Sequence, residues 1–256
     1  MIAPAPVCVA IAAAVAPDAA AWAVLDVAER QRADGFRRDR DHCAFVAAHV
    51  ALRRLLEERY GRPAGQWHFR PEPGGRPVVV DPPAGSDPRV SLSHTDGLAA
   101  AALCEGSEIG IDVERCAADR VDWDRLDTYL ADEETAVVHA AAKAERGACF
   151  LTFWTLREAL LKARGLGLSQ PMSSFAFALS PERLIRSDPI LLPRGTWRFA
   201  CRRPTPDHLL ALAIDAPAAW GAAAGTDRVN GVDDRLIDWQ SFGAAAGCFG
   251  SAQGRA

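Results

Sequence analysis

The sequence predicts an α/β (α+β) protein built as two similar halves. A strongly amphipathic helical segment, Asp41 to Tyr60, precedes several short β-rich runs, and the helical segment Phe150 to Arg164 precedes several more. At 256 residues the chain can bury a substantial core, as one large domain or two small ones. Its 49% hydrophobic and 24% charged content is ordinary for a globular protein. The expected division is an N-terminal half over 1–105, a C-terminal half over 106–216, and an Ala/Gly-rich tail over 217–256. Residue identity between the halves is too low to establish a repeat.

The formal net charge of -4 gives no global basic field for nucleic acid. The seven cysteines are widely spaced and form no C-x-x-C pair, which supports neither a disulfide framework nor a zinc site. Reduced thiols in the cytoplasm are expected. No apolar run approaches the ~20 residues that span a bilayer.

The elements follow in order. The apolar stretch Met1 to Val15 lacks a basic residue ahead of it and is interrupted by Pro4 and Pro6, so Val7 to Ala12 reads as a buried strand, not an export signal. Ala19 to Arg32 reads as a helix. A basic cluster, Arg30, Arg32, Arg37, Arg38 and Arg40, leads into the helix Asp41 to Tyr60, which Gly61 and Pro63 end. From Gly65 to Pro88 the chain is rich in Pro and Gly, with Gly74-Gly75-Arg76-Pro77 ahead of the β-rich Val78 to Val80. Arg89 to Leu92 and Gly97 to Cys104 read as strands, and Ile109 to Glu114 follows a tight turn at Glu105-Gly106. Trp123 to Leu130, Asp132 to Ala144 and Phe150 to Arg164 read as helices; Phe175 to Leu179, Thr196 to Cys201 and His208 to Ile214 as strands. The tail beyond Ala216 has a helical pattern only over Val232 to Trp239 and is otherwise expected to be poorly ordered.

Three places could carry chemistry. In a strand, Gly110, Asp112 and Glu114 share one face. Two carboxylates there repel each other unless water or a cation intervenes, and a hard cation such as Mg²⁺ takes oxygen ligands of this kind; the same pattern also suits an exposed polar strand face. On the later helix Trp154, Glu158 and Lys162 lie four apart along one ridge. Glu158–Lys162 is either a surface pair or a metal ligand and general base beside a phosphate-binding lysine. His94 closes Ser91-Leu92-Ser93-His94 at a strand end, where a structural and a functional role are both open.

Together these pieces resemble the 4′-phosphopantetheinyl transferases of the Sfp type. Ile109-Gly110-Ile111-Asp112-Val113-Glu114, followed some forty residues later by Trp154-x-x-Arg157-Glu158-Ala159-x-x-Lys162, is similar to that family's signature. Gly75-Arg76-Pro77 and Ser91-Leu92-Ser93-His94 match two further landmarks, and the resemblance spans roughly residues 5 to 215. It implies a pseudodimer with the active site in the cleft between its halves. It implies that a serine of an apo acyl or peptidyl carrier protein attacks the β-phosphate of coenzyme A, takes the phosphopantetheine arm and releases 3′,5′-ADP. By the same resemblance Asp112, Glu114 and Glu158 bind Mg²⁺, Glu158 also serves as general base, and Lys162 stabilises the pyrophosphate and leaving group. His94, Ser93 and Arg76 contact the nucleotide phosphates, and Arg32 meets the 3′-phosphate, with Arg30 or Arg37 as substitutes.

The sequence departs from the family pattern twice. Arg157 stands where the family usually has Lys, which keeps the charge for a phosphate contact in a planar fork. Members often carry Arg near Cys43 or Ala44, where the segment Asp41 to Phe45 offers only His42. The expectation is a cytoplasmic, monomeric enzyme of secondary metabolism. A non-catalytic homologue binding coenzyme A or a carrier protein is the alternative, and the complete set Asp112, Glu114, Glu158 and Lys162 argues against it. No P-loop or kinase-type glycine pattern supports a different phosphotransferase.

Overall fold

The computed structural model describes residues 7–116, 121–167, 170–188 and 197–215. The tail expectations therefore lie outside the described residues. The architecture is mixed α/β. Strand β1 (Cys8–Ala13) is followed by helices α1 (Ala19–Ala23), α2 (Val27–Asp34) and α3 (Asp39–Tyr60). Next come strands β2 (His68–Pro71), β3 (Pro77–Val80), β4 (Pro88–Thr95), β5 (Leu98–Glu105) and β6 (Ile109–Arg115). Helices α4 (Leu126–Tyr129), α5 (Asp132–Ala140) and α6 (Arg146–Arg164) precede β7 (Phe175–Leu179), β8 (Glu182–Ser187), β9 (Trp197–Thr205) and β10 (His208–Asp215).

Two antiparallel three-stranded sheets, ordered β1-β5-β4 and β6-β10-β9, are accompanied by the hairpins β2-β3 and β7-β8. Side-chain alternation along the strands sorts the core into layers. Ala10, Val90, Ala101 and Leu103 pack against Ala51, Leu52, Leu55 and Leu56 of α3. The alternate residues Val9, Ala100 and Ala102 share a second core with Ile111, Val113, Leu210 and Leu212 of the other sheet. Leu209, Ala211 and Ala213 turn the opposite way, onto Phe153, Leu156 and Leu160 of α6. The order is helix, sheet, sheet, helix.

The helix expected over Ala19 to Arg32 is broken in two. Asp26 Oδ1 accepts from Glu29 N at 2.8 Å and Glu29 Oε2 accepts from Asp26 N at 3.0 Å, so a capping box restarts the helix at Val27. The helix expected over Trp123 to Leu130 is a 3-10 turn, Trp123–Arg125, continued by α4, and it stops where Leu130 and Ala131 are extended and lead into α5. Strands β2 and β8 escape the pattern because they belong to hairpins with mostly exposed or half-exposed side chains.

Each long helix is pinned by a buried arginine. Arg53 of α3 donates from Nε to Glu29 Oε2 at 3.1 Å and from Nη2 to the same oxygen at 2.6 Å. Arg157 of α6 donates from Nε to Glu134 Oε2 at 2.7 Å and from Nη2 to Phe175 O at 2.9 Å. Glu134 also accepts from Ala131 N and Phe177 N, joining α5, α6 and β7. Removing one partner of such a pair leaves a buried charge uncompensated, at a cost of about 3–5 kcal/mol.

Candidate active site

The acidic strand, the later helix and the Ser-His strand meet at one place. Alternation puts Gly110, Asp112 and Glu114 of β6 on the face turned to α6. Gly110 is what permits the approach: a Cβ there would lie 1.9 Å from Ala159 O and 2.4 Å from Ala163 N of the helix backbone. Asp112 is 3% exposed. Its Oδ1 accepts from Lys162 Nζ at 2.6 Å and from Ser93 Oγ at 2.8 Å. Lys162 Nζ also donates to Ser93 Oγ at 2.8 Å. A strand carboxylate, a strand hydroxyl and a helix ammonium thus close a triangle.

Two carboxylate oxygens in this group have no hydrogen-bond partner although they are buried, Asp112 Oδ2 and Glu158 Oε1. Burial, reinforced by the negative charge of Asp112 and less by Glu114, pushes the Glu158 carboxyl up to about 7 against the opposing pull of Lys162. Glu114 Oε1 accepts from Trp154 Nε1 at 3.0 Å. Among the described residues no three His, Cys, Asp or Glu side chains converge closely enough to hold a metal ion. Glu114 is turned to the indole, and one oxygen of Asp112 to the ammonium. The donor set nevertheless fits a hard cation: unpartnered, buried carboxylate oxygens are the ligands Mg²⁺ takes, and a cation there would relieve both their desolvation and their mutual repulsion.

His94 stands at the end of β4 with its ring edge-on to Phe45, centroids 6.1 Å apart. The Arg32 guanidinium lies over the same Phe45 ring, 5.5 Å from its centroid. Burial, then the charges of Lys162, His49 and Arg32, push the His94 imidazole down to about 4, so it is neutral near pH 7. Arg32, His94 and Lys162 are therefore gathered around one region. Arg30 is not part of it, because its Nη2 donates to Ala23 O and Leu25 O.

The Gly-Arg-Pro turn docks on the end of α6. Arg76 Nη1 donates to Ala163 O at 2.7 Å, and Nε donates to Glu72 Oε2 at 2.8 Å. Gly74 makes the contact possible, since a Cβ there would sit 1.7 Å from Gly165 O. Gly75, Arg76, Ser91, Glu158 and Lys162 line a pocket of about 220 Å³ between turn, strand and helix.

One expected ligand is corrected. Arg157 is 0% exposed and is held by Glu134 and Phe175, with its guanidinium 4.3 Å from the Phe175 ring centroid. Successive helix residues diverge by about 100°, so Arg157 points into the core while Glu158 points to the site. It cannot contact coenzyme A as expected. Ser93 and Arg76 are near the site but already bonded within the protein. Sequence reasoning missed Trp154 as the partner of Glu114, Phe45 as the platform under Arg32, and Ser91. The four-residue spacing of Trp154, Glu158 and Lys162 carried the signal for the first.

The site is acidic and bracketed by a lysine, with unpartnered carboxylate oxygens, and it lies between a strand of one sheet and the helix backing it. The family model described as the 4'-phosphopantetheinyl transferase superfamily matches residues 108–213, which hold Asp112, Glu114, Glu158 and Lys162. Over that segment the chain is similar to that superfamily. It is 27% identical over 154 residues to 4'-phosphopantetheinyl transferase psf-1 of Bacillus pumilus, covering 60% of this chain and 64% of that protein. It is 29% identical over 159 residues to 4'-phosphopantetheinyl transferase HetI of Nostoc sp., covering 62% and 67%. To 4'-phosphopantetheinyl transferase Sfp of Bacillus subtilis it is 24% identical over 151 residues, covering 59% and 65%. The match to the Bacillus pumilus protein thus spans just under two thirds of that protein's length.

Proposed function

We propose that this chain is an Sfp-type enzyme that transfers the 4′-phosphopantetheine arm of coenzyme A to a serine of an apo acyl or peptidyl carrier protein, releasing 3′,5′-ADP. The observation that carries the reading is the pair of buried, unpartnered oxygens, Asp112 Oδ2 and Glu158 Oε1, beside Lys162 in the segment matched by the superfamily. Asp112, Glu114 and Glu158 would hold Mg²⁺, which supplies charge neutralisation at the pyrophosphate when bound. Phosphoryl transfer depends mainly on positioning and charge stabilisation, and the residues here fit those tasks.

Lys162 neutralises the pyrophosphate, and His94 with Arg32 faces the nucleotide phosphates. Glu158 suits accepting the carrier serine's proton, directly or through water. Before substrate arrives, the ammonium of Lys162 holds Asp112 in place.

We read the chain as a pseudodimer divided near residues 105 and 106, with the site in the cleft. The sheet orders β1-β5-β4 and β6-β10-β9 support this, as does a buried arginine at matching places on α3 and α6. The reading extends to a cytoplasmic monomer serving secondary metabolism. In its favour, no disulfide joins two of the described cysteines, and no helix among the described residues is long and apolar enough to cross a membrane.

The test is mass spectrometry of apo carrier proteins incubated with the chain, Mg²⁺ and coenzyme A. A gain of about 340 Da on the carrier serine is expected. Asp112→Ala and Glu158→Ala should abolish the gain while keeping the fold. No gain on any carrier that a known transferase modifies refutes the activity, and full activity in either variant refutes the metal assignment.

A further inference from the structure

The acidic strand is held along its two edges by different means. On one edge β6 pairs with β10 through an antiparallel backbone ladder. On the other it abuts β4, and there side chains take the place of carbonyls. Ser91 Oγ accepts from Ile111 N at 3.1 Å, and Ser93 Oγ accepts from Val113 N at 3.2 Å. Both serines are buried, 3% and 4% exposed. Residues two apart on a strand present side chains on one face roughly 6 to 7 Å apart, the interval at which every second N–H of a neighbouring strand recurs. A Ser-x-Ser strand can therefore serve two amides in step. Alanine at either place would leave a buried N–H without an acceptor.

Asp112 lies between the two amides so held. The hydroxyl of Ser93 has one proton and two acceptor sites. It gives the proton to Asp112 Oδ1 and receives Val113 N and Lys162 Nζ, so its capacity is filled inside the protein. The opposite sheet lacks the arrangement. Across from Leu212 and Leu210 of β10, strand β9 carries Ala200 and Arg202, where β4 carries Ser91 and Ser93 across from Ala102 and Ala100 of β5.

We propose that Ser91 and Ser93 are positioning residues, a hydroxyl seam that fixes the depth of Asp112 against Lys162 and Glu158. Ser91 acts through the backbone of Ile111, and Ser93 through Val113, Asp112 and Lys162. The proposal rests on the reading of Asp112 as a metal ligand, and it assigns Ser93 to the protein scaffold and not to the nucleotide phosphates.

Residue-resolved amide hydrogen exchange, run beside steady-state kinetics on the full chain, tests it. In Ser91→Ala the Ile111 amide should exchange about tenfold faster while Val113 is unchanged, the size expected for one lost hydrogen bond. The kcat should fall about tenfold or more with KM for coenzyme A within about twofold, because displacement of a reacting group acts on the transition state. Ser91→Thr, which keeps the hydroxyl, should restore both. Ser93→Ala should speed exchange at Val113 and raise the Mg²⁺ concentration needed for half-maximal rate. Should Ser91→Ala not fold, Ser91→Cys supplies the same geometry with a weaker acceptor. Unchanged Ile111 exchange overturns the seam, and faster exchange with unchanged kcat overturns its positioning role. The exchange readout needs no turnover, so an inactive wild-type chain would refute the transferase reading while the seam is still decided.

Discussion

Gly110→Ala perturbs the contact between the acidic strand and the site helix directly. The new Cβ would lie 1.9 Å from Ala159 O and 2.4 Å from Ala163 N, where ordinary contact begins near 3.4 Å. Both neighbours are helix backbone, so neither can swing aside. Helix α6 must retreat from β6 by about 1.5 Å, and overpacking of this kind costs about 1–3 kcal/mol. That lowers Tm by roughly 2–12 °C for a chain of this size. The functional cost is larger. Lys162 Nζ now sits 2.6 Å from Asp112 Oδ1, and Glu158 rides on the same helix. Moving the helix carries two members of the site away from the third, and a displacement near 1 Å can cost about 100-fold in rate.

The control is Gly106→Ala. Gly106 sits at φ +67, and a Cβ at that position would have nothing within 4 Å, so alanine there meets only left-handed backbone strain of about 1–2 kcal/mol. The two variants should lose comparable stability by calorimetry. Only Gly110→Ala should lose carrier modification, by about 100-fold, when the transfer rate is followed by mass spectrometry. Equal activity in both variants would refute the argument that close helix–strand approach sets the site.

Three further outcomes follow from particular contacts. Arg157→Ala should destabilise the fold by about 3–5 kcal/mol in denaturant melts, because Glu134 would stay buried without its partner, while KM for coenzyme A in the folded fraction stays close to wild type. Trp154→Phe removes the indole donor from Glu114 at little cost in volume; the Mg²⁺ requirement should rise several-fold with Tm nearly unchanged, as read from metal titrations of rate. The third concerns pH. His94 is held down at about 4 against an ordinary 6.5. Its folded pKa is depressed, so below 6.5 the unfolded state binds the proton first and the contribution is progressively lost as pH falls to about 4. Tm should decline over that window, and His94→Gln should flatten the decline.

How much of this was legible in the sequence differs between the helices and the site. Periodicity and end signals located α3 and α6 within a few residues, since each has a broad apolar face and a glycine in the left-handed conformation at its end, Gly61 and Gly165. The same signals misjudged Ala19 to Arg32, where a capping box formed by Asp26 and Glu29 overrides continuous helical composition. Strands β2 and β8 stayed hidden because their side chains are mostly exposed or half-exposed, which leaves little apolar alternation to stand out.

The sequence by itself determined which residue types would meet: alternation placed Asp112 and Glu114 on one face, and the four-residue ridge placed Glu158 and Lys162 together. Both follow from fixed periods of the backbone. Only the tertiary structure decided which charges were for the site. Arg157 and Glu158 are neighbours in sequence, yet the turn of the helix sends one into a buried pair with Glu134 and the other toward Asp112. Likewise Ser91 and Ser93 are two small polar residues until β6 comes to rest against β4 and its amides need acceptors. Long-range contact chose between equivalent readings of the same residues, because desolvation and hydrogen-bond partners depend on what the fold brings alongside, not on spacing along the chain.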